Sequence, residues 1–330
     1  PLPPSWGMAQ GPQWLALLVA IVAVGYGIWR KPWRKAAWKP LWQPSTGPPV
    51  PKVLYGRHYF FFTHHKTGTN LMQRFCNITA LTTTGGDDQC AFCLRLGPAV
   101  KGLDGYLVCE PNPNEVHGRN RGTFDRFTLL SSVSGFELKK IMEIVPDFRG
   151  VHMIRHPTKI ALSAHAYNKF VSSEAGKKWR WDMSAQDIAN ATSTREELLI
   201  EAKAIWKVLR DMQGAHDLAK GDSRILTLEL EDFEEDYAGT SARLFKHLFD
   251  GPPDAEIQQL ITDAAHHDKK RWSKARMATE STAKASMVQD KTEVVAEWNK
   301  LTAEGQEDVK KVFDFIETMG YRPDGSKAAP

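Results

Sequence analysis

The sequence predicts an α/β protein: a three-layer, P-loop-like fold in which helices cover both faces of a mostly parallel sheet, with a transmembrane helix ahead of it. Three observations lead to this prediction. Short apolar runs alternate with longer amphipathic ones from about residue 53, an uncharged apolar stretch occupies residues 14–29, and a proline-rich segment separates the two. The 330 residues are 42% hydrophobic and 25% charged, which is typical of a globular domain with a substantial core.

Residues 14–29 predict a single membrane-spanning helix, preceded by a tail at 1–13. The stretch is uncharged and has Trp14 and Trp29 at its ends, where indole rings settle at the membrane interface. As a helix it would be about 24 Å long, a marginal span that suits a thin membrane. A cleaved signal peptide is the alternative, but the stretch lacks a basic segment before it and a small-residue cleavage site after it.

A basic and proline-rich stalk, residues 30–52, follows the predicted anchor. Five basic residues lie between Arg30 and Lys39, and five prolines lie between Pro40 and Pro51. Because closely spaced prolines prevent both helix and sheet, this segment should act as a stiff spacer. We expect residues 53–325 to form the globular domain and residues 326–330 to form a C-terminal tail.

The globular part should contain buried strands at four apolar runs, residues 59–62, 106–108, 151–154 and 224–228. Between the last two, Thr194 and Glu197 have the spacing of a capping box at the start of an amphipathic helix. A second such helix is predicted from Thr302 to Gly320. Because strands alternate with helices, the strands should be parallel, and ligands should bind beyond their carboxyl ends.

Charge and cysteine content limit the class of function. A net charge of +4 without a dense basic patch does not indicate a nucleic-acid partner. The spacing of Cys90 and Cys93 lacks the second pair that a zinc site needs, so no metal is predicted. The cysteines form either disulfides or buried thiols, and there are four of them, Cys76, Cys90, Cys93 and Cys109.

The first predicted strand leads into a loop suited to binding an anion, Thr-His-His-Lys-Thr-Gly-Thr-Asn at residues 63–70. Backbone N–H groups converge at the start of the following helix, and the helix dipole favours negative charge. Lys66 adds a cation, and Thr67 and Thr69 add hydroxyl groups. This is not a Walker A motif, because Lys66 precedes the only glycine, Gly68, and no acidic strand end for magnesium accompanies it. The loop therefore predicts a metal-free phosphate cradle.

A second anion site is predicted after the strand at 151–154. Arg155 ends that strand, Pro157 begins a helix, and Ser163 follows two turns later. Arginine supplies a forked cation and serine a hydroxyl, so together they can hold a second phosphate. The alternative is a structural ion pair between Arg155 and a carboxylate.

The two sites resemble the paired signatures of the sulfotransferase superfamily. Lys-Thr-Gly-Thr at 66–69 resembles the first signature, and Arg155 with Pro157 and Ser163 resembles the second at the family's interval. The resemblance covers about residues 57–322. Its departures are His65, where many members have proline, and His156, where Asp or Asn is common. Further similar segments are Glu231-Asp232-Phe233, Trp298 and Gly320-Tyr321.

The resemblance implies a sulfuryl donor, 3′-phosphoadenosine 5′-phosphosulfate (PAPS), and no metal. Lys66 would be a catalytic residue that neutralises the leaving phosphate. Arg155 and Ser163 would hold the 3′-phosphate, with Lys291 closing over it. The 5′ end of the donor would be bound by His65, Lys66, Thr67, Gly68, Thr69 and Asn70.

A general base is expected to take the proton of the acceptor. Some members use a histidine on the strand before the second signature, but residues 131–135 contain none. We name His117 as the candidate, although it lies near Arg119 and Arg121 and could instead belong to a site for an anionic acceptor. The other candidates are Asp87, Asp88 and Glu110.

We therefore expect a membrane-anchored sulfotransferase that acts on a hydroxyl or amine of a glycan, tyrosyl protein, lipid or small metabolite. The alternatives are a non-catalytic membrane-tethered module and a P-loop kinase. An anchor followed by a stalk resembles Golgi sulfotransferases, whose catalytic domain faces the lumen. We therefore expect a single-pass Golgi protein with a lumenal catalytic domain. A cytosolic domain is the alternative, since the basic residues 30–39 favour it by the positive-inside rule.

Overall fold

The computed structural model describes residues 57–84, 90–97, 108–111, 126–172, 183–251, 254–273, 276 and 291–321. All of them belong to one compact unit of the chain, Thr46–Pro330. The predicted anchor at 14–29 and the stalk at 30–52 lie outside these ranges. Among the helices within them, none combines the length and the apolar character that crossing a membrane requires.

A six-stranded sheet occupies the centre of the fold, in the order β3-β2-β4-β1-β5-β6. β2 and β3 are antiparallel, and the other four pairs of neighbours are parallel. The mostly parallel sheet is thus confirmed. The strands are β1 (His58–Thr63), β2 (Ala91–Gly97), β3 (Val108–Pro111), β4 (Phe127–Ser131), β5 (Phe148–Ile154) and β6 (Ile225–Glu229).

The helices connect and cover these strands. α1 (Thr69–Thr84) follows β1, α2 (Gly135–Ile144) follows β4, and four helices lie between β5 and β6, namely α3 (Pro157–Ser172), α4 (Met183–Asn190), α5 (Thr194–Ala204) and α6 (Trp206–Ala219). After β6 come α7 (Leu230–Glu235), α8 (Tyr237–Leu248), α9 (Asp254–Ala264), two short 3-10 helices (Ala265–His267 and Lys269–Arg271), α10 (Lys291–Ala303) and α11 (Glu307–Thr318).

The central strand β1 is covered by helices on both faces of the sheet. Its four consecutive aromatic residues are fully buried, as expected for a parallel strand covered on both faces. Tyr59 and Phe61 pack with α1, α8 and α9 on one face. Phe60 and Phe62 pack with α2 and α6 on the other. A further core around Trp298 joins α3, α5 and α6 to the last two helices.

Two strands of the sheet, β2 and β4, were not predicted. β4 lies beside β1, with Ser131 opposite Thr63, and β5 lies on the other side, with His152 opposite Phe62. The carboxyl ends of these three strands therefore meet at one edge. The predicted strand at 106–108 is observed only from Val108, because residues 106 and 107 fall outside the described part.

The predicted helix caps need two corrections. The N-cap before α5 is Ser193 rather than Thr194, because Ser193 has extended backbone angles and its hydroxyl accepts from the N–H of Glu196. Thr302 does not cap the last helix but lies within α10, where its hydroxyl donates to the carbonyl of Trp298. The end of α11 at Gly320 is confirmed, with φ of 78° there.

A disulfide joins Cys76 on α1 to Cys90, the residue before β2. Cys93 is also disulfide-bonded. The sequence left disulfides and buried thiols as alternatives, and at these three positions the cysteines are oxidised.

Candidate functional site

The loop between β1 and α1 is a tight turn held together by Thr67. The N–H of Thr67 donates to the carbonyl of His64 at 3.2 Å, and its hydroxyl accepts from the N–H of His64 at 2.8 Å. The same hydroxyl also lies 3.0 Å from that carbonyl, as a donor to it. Thr67 therefore uses its hydroxyl within the loop and shapes it, whereas the sequence had suggested a donor to a phosphate.

The backbone of the loop has left-handed residues on both sides of Thr67. Lys66 has φ of 64° and Gly68 has φ of 103°, and alternation of left- and right-handed residues is typical of backbone turns that bind anions. At Gly68 a Cβ atom would lie 3.1 Å from Cδ1 of Leu230. Both this close contact and the positive φ disfavour a side chain at this position. The first α1 bond runs from Met72 N–H to the carbonyl of Gly68, which leaves the preceding N–H groups without an acceptor in the helix.

The ammonium group of Lys66 rests on an aromatic ring. Its Nζ lies 3.2 Å from the ring centroid of Tyr167 on α3, and the ring of His65 meets the same tyrosine edge-on with centroids 6.4 Å apart. Ser163 lies one helical turn before Tyr167 and is half-buried, so it belongs to the same face of α3. Tyr167 was not predicted as a site residue, although its spacing of four residues from Ser163 indicates that the two share a helix face.

Arg155 connects the two predicted anion sites. Its Nη1 donates to the carbonyl of Lys66 at 3.1 Å, a contact between residues 89 positions apart. This bond exists because β1 and β5 are neighbours in the sheet, so that the segments following them meet at its carboxyl edge. The two predicted anion-binding segments are therefore in direct contact.

Two carboxylates accompany Arg155. Its Nε lies 3.5 Å from Glu231 and its Nη2 lies 3.9 Å from Glu234, both on α7. Lys159, in the first turn of α3, approaches the same carboxylates at 3.3 and 3.7 Å. The predicted alternative, an ion pair of Arg155, is thus also present, and Lys159 is a cation of the site that sequence reasoning missed.

Two buried histidines, His64 at the start of the loop and His152 on β5, contact each other. Nε2 of His64 lies 2.9 Å from Nε2 of His152 on β5, and both rings are inaccessible to solvent. Burial lowers the pKa of His64 to about 3 and holds the pKa of His152 well below its ordinary value. Both rings are therefore neutral near pH 7, and the positive charge of the site comes from Lys66, Arg155 and Lys159.

A buried polar cluster fixes the orientation of α3. His165 lies 2.8 Å from Glu197 on α5, and Lys169 donates to the same carboxylate at 2.6 Å. Asn168 donates to Glu201 at 2.9 Å. Burial lowers the pKa of His165, although its hydrogen bond to Glu197 acts in the opposite direction. The cluster holds the opposite face of the helix that presents Lys159, Ser163 and Tyr167 to the loop.

The predicted general base is not located. His117, Asp87 and Asp88 lie outside the described residues, Glu110 lies in β3, and Lys291 is the first residue of α10. Asn70 is exposed at the start of α1, beside the loop. In the described ranges, no group of three or more His, Cys, Asp or Glu side chains is arranged to hold a metal ion.

Comparisons with known proteins gave matches among solved structures alone. No protein-family model matches the sequence, and no curated protein sequence matches it. Mouse sulfotransferase SULT7A1 complexed with PAP aligns over 66% of this chain and 66% of its own, just under two thirds, with 11% identity and a TM-score of 0.40.

Two other similar structures are retinol dehydratase in complex with androsterone and inactive cofactor PAP, and a sulfotransferase from Alicyclobacillus acidocaldarius. The first aligns over 81% of this chain and 83% of its own, with 12% identity and a TM-score of 0.41. The second aligns over 79% and 96%, with 15% identity and a TM-score of 0.34.

Proposed function

We propose that this protein is a sulfotransferase that uses PAPS to sulfate a hydroxyl or amine of an acceptor. The observation that carries the proposal is the hydrogen bond from Arg155 to the carbonyl of Lys66, 3.1 Å long, which brings the two predicted anion-binding segments together. PAPS has phosphate groups at its 5′ and 3′ positions, so a donor of this kind needs two adjoining anion sites.

The residues of the loop fit the 5′ end of such a donor. The first N–H groups of α1 have no acceptor within the helix and can bind an anion, and Lys66 lies in the turn directly before that helix, with φ of 64°. When bound, PAPS supplies the activated sulfuryl group and a phosphate as leaving group. Lys66 and the N–H groups stabilise the charge that develops on that phosphate during in-line transfer.

The second site fits the 3′-phosphate. The contacts of Arg155 with Glu231 and Glu234 are long, at 3.5 and 3.9 Å. Its guanidinium group can therefore donate stronger hydrogen bonds to a phosphate. Ser163 lies on the adjoining face of α3 and adds a hydroxyl. We retain His117 as the proposed general base that takes the proton of the acceptor, a choice based on the sequence alone.

A second candidate is a non-catalytic module that keeps the fold and binds a nucleotide without turnover. The segment 131–135 favours it, because it contains no histidine where some members of the superfamily have their general base. Binding of the donor without formation of a sulfated product would support this candidate over an enzyme.

We further propose that the chain is a single-pass membrane protein whose globular domain faces an oxidising lumen, as in the Golgi. The Cys76–Cys90 disulfide supports this orientation, because disulfides are rare in the reducing cytosol. Protease treatment of sealed vesicles that contain the full chain tests it. Protection of the globular domain is the expected result, and its digestion would reverse the orientation.

Calorimetric titration with 3′-phosphoadenosine 5′-phosphate (PAP) tests the proposed activity at its first step. We expect the full chain, in detergent micelles, to bind PAP more tightly than AMP, and Lys66→Ala and Arg155→Ala to weaken PAP binding at least tenfold. Radiolabelled PAPS with panels of glycan, tyrosyl-peptide and lipid acceptors would follow. Absence of PAP binding by folded wild-type protein would refute the sulfotransferase proposal.

A further inference from the structure

Four charged side chains form a compact cluster at the proposed site for the 3′-phosphate. Arg155 and Lys159 each approach both carboxylates of α7, Glu231 and Glu234. The four N–O distances range from 3.3 to 3.9 Å, which is longer than an ordinary charge-assisted hydrogen bond. Nε of Arg155 is buried and has no hydrogen-bond partner in the described part of the chain.

The two carboxylates differ in how firmly they are held. The side chain of Glu231 is 10% exposed, contacts both cations at 3.3 and 3.5 Å, and lies 3.5 Å from the N–H of His156. The side chain of Glu234 is 52% exposed, and its contacts are the longer ones, at 3.7 and 3.9 Å. Long exposed ion pairs of this kind are weak, so Glu234 is the partner that an incoming anion can replace.

Lys159 has the position of a ligand residue. It lies on α3 four residues before Ser163, hence on the same helix face, and its side chain is 42% exposed. Arg155 alone is balanced by Glu231, and a phosphate monoester carries a charge between −1 and −2 near pH 7. Once Glu234 is displaced, the cluster contains Arg155, Lys159 and Glu231 and has a net charge of +1. This positive charge favours binding of the phosphate.

We propose that Lys159 binds the 3′-phosphate of the donor together with Arg155, and that Glu234 is the counter-ion which this phosphate replaces. The inference rests on the proposed function and makes it more specific. Preference for a nucleotide with a 3′-phosphate would then depend on Lys159, while Glu234 would weaken binding of that nucleotide in the wild-type protein.

Titration of the full chain with PAP and with AMP, which lacks the 3′-phosphate, tests the proposal. We expect Lys159→Gln to weaken PAP binding about tenfold and to leave AMP binding unchanged, because only PAP has the phosphate that Lys159 contacts. Lys159→Arg, which keeps the charge, should retain most of the affinity. Thermal melting of each variant establishes that it is folded.

Removal of the counter-ion should have the opposite effect. We expect Glu234→Gln to tighten PAP binding about threefold, the size of a weak exposed ion pair, without a change for AMP. The matched control is Glu235→Gln, which removes the same charge from the next residue of α7 and should leave both affinities unchanged.

The outcomes separate this inference from the proposed function. If the wild type does not bind PAP, the proposed function itself fails. If the wild type binds PAP and Arg155→Ala abolishes binding, but Lys159→Gln keeps wild-type affinity, the role of Lys159 is refuted alone. Unchanged or weaker PAP binding by Glu234→Gln would refute the counter-ion assignment.

Discussion

Replacement of Gly68 by alanine should separate the role of the loop backbone in anion binding from its role in stability. Gly68 has φ of 103°, where an L-residue is strained by about 1–2 kcal/mol. Its new methyl group would also lie 3.1 Å from Cδ1 of Leu230, which a flexible side chain relieves at a cost of about 1 kcal/mol. Alanine also reduces the entropy of the unfolded chain, which returns about 0.5 kcal/mol. We expect a net loss of about 2 kcal/mol in the free energy of unfolding.

Gly221 supplies a matched control. It has a similar backbone angle, φ of 90°, but nothing lies within 4 Å of a Cβ atom there. It lies before β6, at the amino end of the sheet rather than the carboxyl edge where the loop lies. Gly221→Ala should therefore lose only about 1 kcal/mol, through backbone strain alone.

Urea unfolding and PAP titration together give the decisive comparison. We expect Gly68→Ala to weaken PAP binding at least tenfold, because the altered backbone turns the N–H groups of the loop away from the anion. Gly221→Ala should bind PAP like the wild type. Equal PAP affinity in the two variants would refute the assignment of the loop as the anion-binding element, whatever their stabilities.

Three further predictions concern contacts around the loop. In a double-mutant cycle with Lys66→Met, Tyr167→Leu should show a coupling of about 0.5–1 kcal/mol in urea unfolding, whereas Tyr167→Phe, which keeps the aromatic ring, should show much less coupling. Zero coupling for Tyr167→Leu would contradict the cation–π contact. Replacing both Cys76 and Cys90 by serine should lower the free energy of unfolding by about 3 kcal/mol, since their disulfide closes a loop with a sequence separation of 14; equal stability would exclude a stabilising role. Burial lowers the pKa of His64 to about 3 in the folded protein, so the unfolded chain takes up this proton first as the pH falls below 6.5. We therefore expect the free energy of unfolding to decrease as the pH falls toward 3, by about 2 kcal/mol between pH 6.5 and 5. The loss should be smaller in His64→Gln, and an unchanged loss would contradict the assignment.

The strands that sequence reasoning missed show why part of the sheet could not be predicted. β4 is only Phe-Thr-Leu-Leu-Ser, and β2 contains Arg95 and follows directly on a cysteine, so neither is a distinct apolar run. Their strand conformation comes from pairing with neighbours, β4 lying between β1 and β2. Strand preference depends on such packing more than on the residue types themselves. The aromatic run of β1, in contrast, is apolar enough to be recognised alone.

The sequence by itself determined the local features of the candidate site. A strand followed by Lys66 and Gly68, and a second strand followed by Arg155, predicted two anion-binding turns, because turn chemistry and helix starts depend on adjacent residues. Only the tertiary structure decided how they combine. The neighbouring positions of β1 and β5 bring Arg155 to the carbonyl of Lys66, and the packing of α3 and α7 adds Tyr167, Lys159, Glu231 and Glu234. These contacts join segments far apart in the chain, and their formation depends on strand order and helix packing, which no local pattern specifies.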